Sequence, residues 1–140
     1  MLEQYLWIAG SLPFIVLGAI HLLYTFFTNK FSTRNKALEE EMKTSFPVLT
    51  RQTTMWKAWI GFNASHSSGA IYIGLINFIA AIQYSGVLQS PVFIALNMTT
   101  VFFYCWLGKK YWFSTPFTGI LISTCCFSIA VLIIIAKAIF

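Results

Sequence analysis

Four long apolar runs constrain this chain more than any other feature of its sequence. They cover residues 5–27, 57–84, 91–109 and 115–138, which is most of the 140 residues. An α-helix needs about 20 mostly apolar residues to cross the hydrocarbon core of a membrane. The pattern therefore predicts an all-α membrane protein, in which a single domain forms an antiparallel bundle of four transmembrane helices.

The composition agrees with a membrane location. Charged residues make up 9% of the chain, against about 25% in soluble domains. A membrane β-barrel would need strands of about 10 residues that alternate between apolar and polar positions, whereas residues 131–135 are apolar throughout. The first run is too long for a secretory signal. No basic residue precedes it and no small-residue cleavage site follows it, as such a signal would require.

The basic residues indicate an orientation in the membrane. Six of the nine lie between residues 27 and 59, and Lys109 and Lys110 lie between the last two runs. Since cytoplasmic flanks carry the Lys/Arg excess, loops 28–56 and 108–114 are predicted to face the cytoplasm of a bacterial inner membrane, with both termini outside. The net charge of +5 favours anionic lipid as a partner, and nucleic acid binding is not indicated.

The first loop has a helical pattern of its own. Leu38, Met42 and Phe46 recur at every fourth position, and the charged residues fall between them. This spacing predicts a short amphipathic helix over residues 35–46, which Pro47 should end. Such a helix either lies on the lipid headgroups or covers the mouth of the bundle.

Each apolar run also carries a stripe of polar and small residues at helical spacing. Polar side chains inside lipid usually face the bundle interior or mark a functional site, and small residues allow close helix packing. The main polar members are His21 and Thr25 in the first run, Asn63, His66, Ser67 and Asn77 in the second, Asn97, Thr100 and Tyr104 in the third, and Thr115 and Ser123 in the fourth.

The two histidines fall at nearly the same predicted depth. At about 1.5 Å per helical residue, His21 lies roughly 9 Å and His66 roughly 10 to 13 Å from the cytoplasmic ends of their runs. Two neighbouring antiparallel helices would bring these imidazoles into one cavity. The predicted pocket in the cytoplasmic half contains His21, His66, Asn63, Asn97 and Tyr104.

The carboxylates that this chain lacks restrict the chemistry of such a pocket. There is no aspartate, and the only glutamates are Glu3 and Glu39 to Glu41. A di-iron carboxylate site, an intramembrane carboxylate relay and a Ser-His-Asp triad are therefore excluded. Because two histidines alone do not complete a zinc site, no metal site is predicted.

Three uses of the histidines remain open. Imidazole is the side chain that ordinarily titrates near neutral pH, so His66 and His21 are candidate catalytic acid and base groups for a lipid-soluble substrate, with Asn63 orienting an oxygen. The pair is also a candidate for axial ligation of a haem in an electron-transfer subunit, or for hydrogen bonding to a quinone or other lipid. The candidate ligand-binding or cofactor-binding residues are His21, His66, Trp59, Asn97, Tyr104 and Tyr111.

Structural roles also fit the same residues. The histidines would then only hold helices together, and the protein would be an accessory subunit of a larger membrane complex. The sequence also allows a homo-oligomer.

One motif carries a resemblance to a known family. Residues 59–69 read WxGFNxSHSxG, and residues 18–22 and 110–114 add shorter matching runs. The chain resembles an uncharacterised family of small bacterial four-span membrane proteins, and its general shape is similar to DoxX-like four-helix proteins. The resemblance implies the fold and membrane residence but no reaction.

Overall fold

The computed structural model describes residues 1–139, and every regular element in that range is helical. Five α-helices and one short 3₁₀ helix follow one another along the chain. They are α1 (Leu2–Phe27), α2 (Lys36–Thr44), α3 (Met55–Gln83), the 3₁₀ helix (Ser85–Gln89), α4 (Pro91–Tyr111) and α5 (Ser114–Ile139).

Four of the helices are long and apolar enough to cross a membrane. These are α1, α3, α4 and α5, with lengths of 26, 29, 21 and 26 residues. A span of about 20 residues suffices to cross the hydrocarbon core. The predicted all-α fold with four membrane spans is confirmed, and the chain is a multi-pass membrane protein.

The helices divide into two compact units. The first, here called the bundle unit, consists of residues 1–17 and the chain from residue 70 onward. The second, here called the loop unit, consists of residues 18–69. Helices α1 and α3 contribute to both units. Whether the chain acts as a single domain stays a prediction.

Large aromatic side chains form the centre of the bundle unit. Trp7 and Phe14 of α1 and Phe127 of α5 are fully buried. The Trp7 ring lies 5.1 Å from the Phe127 ring, and Phe14 meets Tyr104 of α4 edge-on at 5.5 Å. Such pairs add about 0.5–1.5 kcal/mol each to the gain from burying their area, so aromatic contacts join α1 to both α4 and α5.

A glycine allows α1 and α3 to approach closely within the bundle unit. A Cβ atom added at Gly74 would lie 2.6 Å from Cγ1 and 2.9 Å from the backbone nitrogen of Ile15. Small residues permit such backbone approach in membrane bundles, where packing drives helix association. Gly74 is thus a packing position of α3.

A tryptophan and an asparagine form the main buried hydrogen bond of the bundle unit. The Trp7 indole Nε1 donates to Asn77 Oδ1 at 2.8 Å, and Asn77 Nδ2 donates to the Ile73 carbonyl at 2.9 Å. Asn77 is only 2% exposed. Because unpaired polar groups are costly inside lipid, this pair specifies the pairing of α1 with α3.

The predicted amphipathic helix is present as α2 in the loop unit. Asn35 caps its start, because Asn35 Oδ1 accepts hydrogen bonds from the backbone nitrogens of Ala37 and Leu38. The helix ends at Thr44, shortly before Pro47. On its surface Lys43 Nζ lies 2.8 Å from Glu40 and 2.9 Å from Glu39. Its hydrogen bonds to Glu40 and then Glu39 raise the pKa of Lys43 above the ordinary lysine value.

Candidate functional site

Both histidines and Asn63 meet within the loop unit. His21 Nε2 on α1 lies 3.0 Å from Asn63 Oδ1 on α3. The His21 and His66 rings are 5.7 Å apart and meet edge to face at 72°. Because Asn63 and His66 are three residues apart, they share one face of α3. The structure thus brings together the three residues that the sequence analysis named as catalytic candidates.

The hydrogen bonds of Asn63 determine which nitrogen of His21 carries a proton. Asn63 Nδ2 donates to the Trp59 carbonyl at 2.8 Å. The amide oxygen, an acceptor only, therefore faces His21. It follows that His21 Nε2 carries a proton and donates this hydrogen bond.

Aromatic rings surround this polar group. The Phe31 ring lies 4.2 Å from the His21 ring at an angle of 35°, and the Phe62 ring is parallel to the His66 ring at 6.4 Å. Asn63 is buried, and both histidines are half-buried. The cluster therefore combines hydrogen-bonding atoms with apolar walls, the composition usual for small-molecule sites.

Trp59 holds the segment that follows α1 against α3. Its indole Nε1 donates to the Phe31 carbonyl at 3.1 Å, while its own carbonyl accepts from Asn63. Through these two bonds Trp59 positions both Phe31 and Asn63. Its predicted role as a ligand-contacting residue is untested, but it lies beside the cluster.

An open groove of about 420 Å³ adjoins the histidine cluster. Phe31 and Trp59 belong to both, since each lines the groove and also contacts a member of the cluster. The groove is formed by the segment after α1, one residue of α2 and the first two turns of α3. Its lining residues are Lys30, Phe31, Ser32, Thr33, Met42, Trp56 and Trp59.

The sequence analysis did not identify this groove as a site. Met42 was assigned to the apolar side of α2, and Trp59 was named without the neighbours that complete the groove. The signal that could have pointed there is the concentration of tryptophan and basic residues at the start of α3, next to a loop with its own helix.

The other three candidate residues belong to the bundle unit. Tyr104 contacts Phe14, and its ring lies 6.1 Å from that of Trp112. Tyr111 is exposed and lies against Trp106. Asn97 is 6% exposed, and its Nδ2 has no hydrogen-bond partner within residues 1–139. A shared pocket of these residues with the histidines stays a prediction.

No set of three His, Cys, Asp or Glu side chains within residues 1–139 is arranged to hold a metal ion. The hydrogen bond of His21 bears on the haem alternative, because a haem iron would need a free ring nitrogen of this histidine. Its Nε2 is occupied by the 3.0 Å hydrogen bond to Asn63, so ligation through that nitrogen would break the bond. Haem binding stays an untested alternative.

Comparisons with known proteins gave no match to this chain among protein-family models, curated proteins or solved structures. The resemblance carried by the WxGFNxSHSxG motif therefore stays a prediction.

Proposed function

We propose that this membrane protein binds a lipid-soluble small molecule at the His21–Asn63–His66 cluster, with His66 as an acid or base toward it. The observation that carries the proposal is the cluster itself. Two imidazoles lie 5.7 Å apart, one of them oriented by a buried amide, beside an open groove of about 420 Å³. Ionisable residues within membrane spans are costly and usually mark a functional site.

The two histidines have different roles in this proposal. Asn63 positions His21 through the 3.0 Å hydrogen bond, so His21 is an oriented hydrogen-bonding group. His66 is the imidazole proposed to exchange a proton with the ligand, because an imidazole ordinarily titrates near neutral pH. Phe31 and Phe62 would contact the apolar part of the ligand.

The groove favours ligand binding over a purely structural role for the histidines. The His21–Asn63 hydrogen bond and the contact between the His21 and His66 rings join α1 to α3 in the loop unit. These contacts would hold the two helices together without a groove beside them, so a purely structural role does not account for the groove. Phe31 and Trp59 line the groove and contact the cluster, whereas His21, Asn63 and His66 are not among the lining residues. The proposal therefore requires a ligand in the groove to reach the histidines past Phe31.

The proposed location is a bacterial inner membrane, with loops 28–56 and 108–114 on the cytoplasmic side. The distribution of Lys and Arg supports this orientation. The resemblance to small bacterial four-span proteins supports the location and, as a proposal, kinship with that family.

Molecules that accompany the purified protein test the proposal. The protein is purified from its host membrane in mild detergent, extracted with organic solvent, and the extract is analysed by mass spectrometry. A specific small molecule is expected from the unsubstituted protein and should be lost from His66→Gln and Asn63→Leu. Gly61→Ala is the matched control on the same helix, since an added Cβ there meets no atom within 4 Å.

Two results would contradict the proposal. Identical extracts from the unsubstituted protein and from a folded His66→Gln variant would show that the cluster binds nothing specific. A Soret band in the visible spectrum that disappears in His21→Ala and His66→Ala would identify haem instead. Circular dichroism and gel filtration of each variant establish that it is folded.

A further inference from the structure

We propose that the ligand is an anionic amphiphile, a lipid whose phosphate headgroup occupies the groove next to Lys30. This inference rests on the proposed function and specifies the chemical class of its ligand. Three features carry it: an unpaired cation with two hydroxyls, a wall of aromatic and thioether side chains, and the residues shared with the histidine cluster.

The polar side of the groove is suited to a phosphate. Lys30, Ser32 and Thr33 follow one another closely on the segment after α1 and all line the groove. Within residues 1–139 Lys30 forms no ion pair, whereas Lys43 is neutralised by Glu39 and Glu40. An ammonium and two hydroxyls supply the donors that a phosphate accepts.

The segment is held in place by hydrogen bonds of its own. Ser32 N donates to the Asn29 carbonyl at 3.1 Å, and Lys30 N donates to Thr28 Oγ1 at 3.2 Å. Thr33 Oγ1 accepts from Asn35 N at 3.2 Å, which leaves its hydroxyl hydrogen to donate. These contacts hold the backbone of the segment in place before a ligand arrives, which lowers the entropic cost of binding.

The apolar side of the groove is suited to the chain of a lipid. Met42, Trp56 and Trp59 line it, and both tryptophans lie in the first two turns of the membrane-crossing helix α3. Tryptophan is favoured at the boundary between headgroups and hydrocarbon. A soluble anion would make no use of these walls, and in a zwitterionic lipid the choline cation would oppose the attraction of Lys30 for the phosphate.

Phe31 connects the headgroup position to the histidines. Phe31 lines the groove, and the centre of its ring lies 4.2 Å from that of the His21 ring. A lipid whose phosphate is held by Lys30 would therefore place the atoms next to its headgroup close to Phe31 and His21. In this arrangement a single lipid molecule contacts Lys30 through its phosphate and the histidine cluster through the atoms next to the phosphate.

Native mass spectrometry with two defined lipids tests the inference. The purified protein is titrated with phosphatidic acid and with phosphatidylcholine of identical acyl chains. Phosphatidic acid is expected to bind more tightly, and Lys30→Gln should weaken it about tenfold, the effect of losing one charge-assisted hydrogen bond. Lys36→Gln is the control, because it removes the same charge from the same loop but does not line the groove.

Three outcomes would overturn the inference. Equal binding of phosphatidylcholine and phosphatidic acid would show that the negative charge of the lipid is not recognised. Equal weakening by Lys36→Gln and Lys30→Gln would indicate a general attraction to the basic loop, and displacement of phosphatidic acid by inorganic phosphate at equal concentration would indicate a soluble anion.

The His66→Gln variant separates this inference from the proposed function. Weaker binding of phosphatidic acid in both Lys30→Gln and His66→Gln supports the two together. An effect of Lys30→Gln alone would keep the headgroup site and refute the role of the histidines in binding this lipid. Loss of the co-purified molecule in His66→Gln, with no effect of Lys30→Gln on phosphatidic acid, would refute the groove and keep the proposed function.

Discussion

Asn63 accepts a hydrogen bond from His21 Nε2 at 3.0 Å while its own amide nitrogen donates to the Trp59 carbonyl at 2.8 Å. The second bond fixes the direction of the amide, and the amide in turn fixes the tautomer of His21. A single buried side chain of α3 thus determines how a histidine of α1 presents its ring.

The tautomer of His21 can be measured directly. The chain contains two histidines, so ¹⁵N-histidine NMR gives two ring systems, and His66→Gln assigns them. His21 is expected to carry its proton on Nε2, and Asn63→Leu should abolish that preference and lower the free energy of unfolding by about 1–3 kcal/mol. An unprotonated Nε2 in the unsubstituted protein would contradict the hydrogen-bond assignment.

Trp7→Phe should destabilise the protein more than Trp59→Phe. Each indole donates one hydrogen bond, from Trp7 to Asn77 and from Trp59 to Phe31. Trp7 is fully buried and Trp59 is 39% exposed, so only the first substitution leaves a buried acceptor without a partner, at about 1–3 kcal/mol. Unfolding by sodium dodecyl sulfate titration in mixed micelles measures both. Equal losses would argue against the Trp7–Asn77 pair.

Gly74→Ala should weaken the packing of α1 on α3. The added Cβ would lie 2.9 Å from the backbone nitrogen of Ile15, which cannot move without a shift of the helix. Gly61→Ala, with open space around it, should leave stability unchanged or raise it slightly, because alanine favours a helix over glycine. Thermal unfolding followed by circular dichroism in detergent compares the two. A Gly74→Ala variant as stable as Gly61→Ala would refute the close approach.

Substitution by leucine should change the stability of the protein differently at the two buried asparagines of the bundle unit. Asn77→Leu removes the acceptor of the Trp7 indole, which should cost about 1–3 kcal/mol. Asn97→Leu removes an amide nitrogen that has no partner within residues 1–139, so its effect should be near zero or stabilising. The same micelle titration measures the difference. A large loss in Asn97→Leu would show that this amide has a partner in the membrane.

The proposed orientation predicts which side of the membrane each loop faces. In a variant with the three native cysteines replaced by serine, Ser85→Cys should react with a membrane-impermeant maleimide in intact cells. Val48→Cys, in the loop between α2 and α3, should react only after lysis, because its flanking basic residues stay in the cytoplasm. The reverse pattern would invert the orientation.

The helices were predictable because their signals are local. Apolar runs of membrane length and the four-residue spacing of Leu38, Met42 and Phe46 are visible without knowledge of any contact. Even the meeting of His21 and His66 followed from depth, since residues at one level on neighbouring helices approach each other.

The contacts that the sequence did not reveal depend on which face an apolar helix buries. Trp7 and Ser11 continue the helical phase of the stripe that contains His21 and Thr25, but a stripe defined by polar and small residues does not predict a large, fully buried indole. The groove likewise depends on the path of the segment after α1, which the Trp59–Phe31 hydrogen bond settles. Such tertiary contacts have no periodic signature.

The frame of the groove is held largely through backbone carbonyls. Trp59 donates to the carbonyl of Phe31, and the backbone nitrogen of Met55 donates to the carbonyl of Ser45 at 2.9 Å. Every amino acid supplies a carbonyl, so the side chains at positions 31 and 45 can change while both bonds persist. Substitution of the Phe31 side chain is therefore expected to change the wall of the groove while the hydrogen bond that positions this segment stays in place.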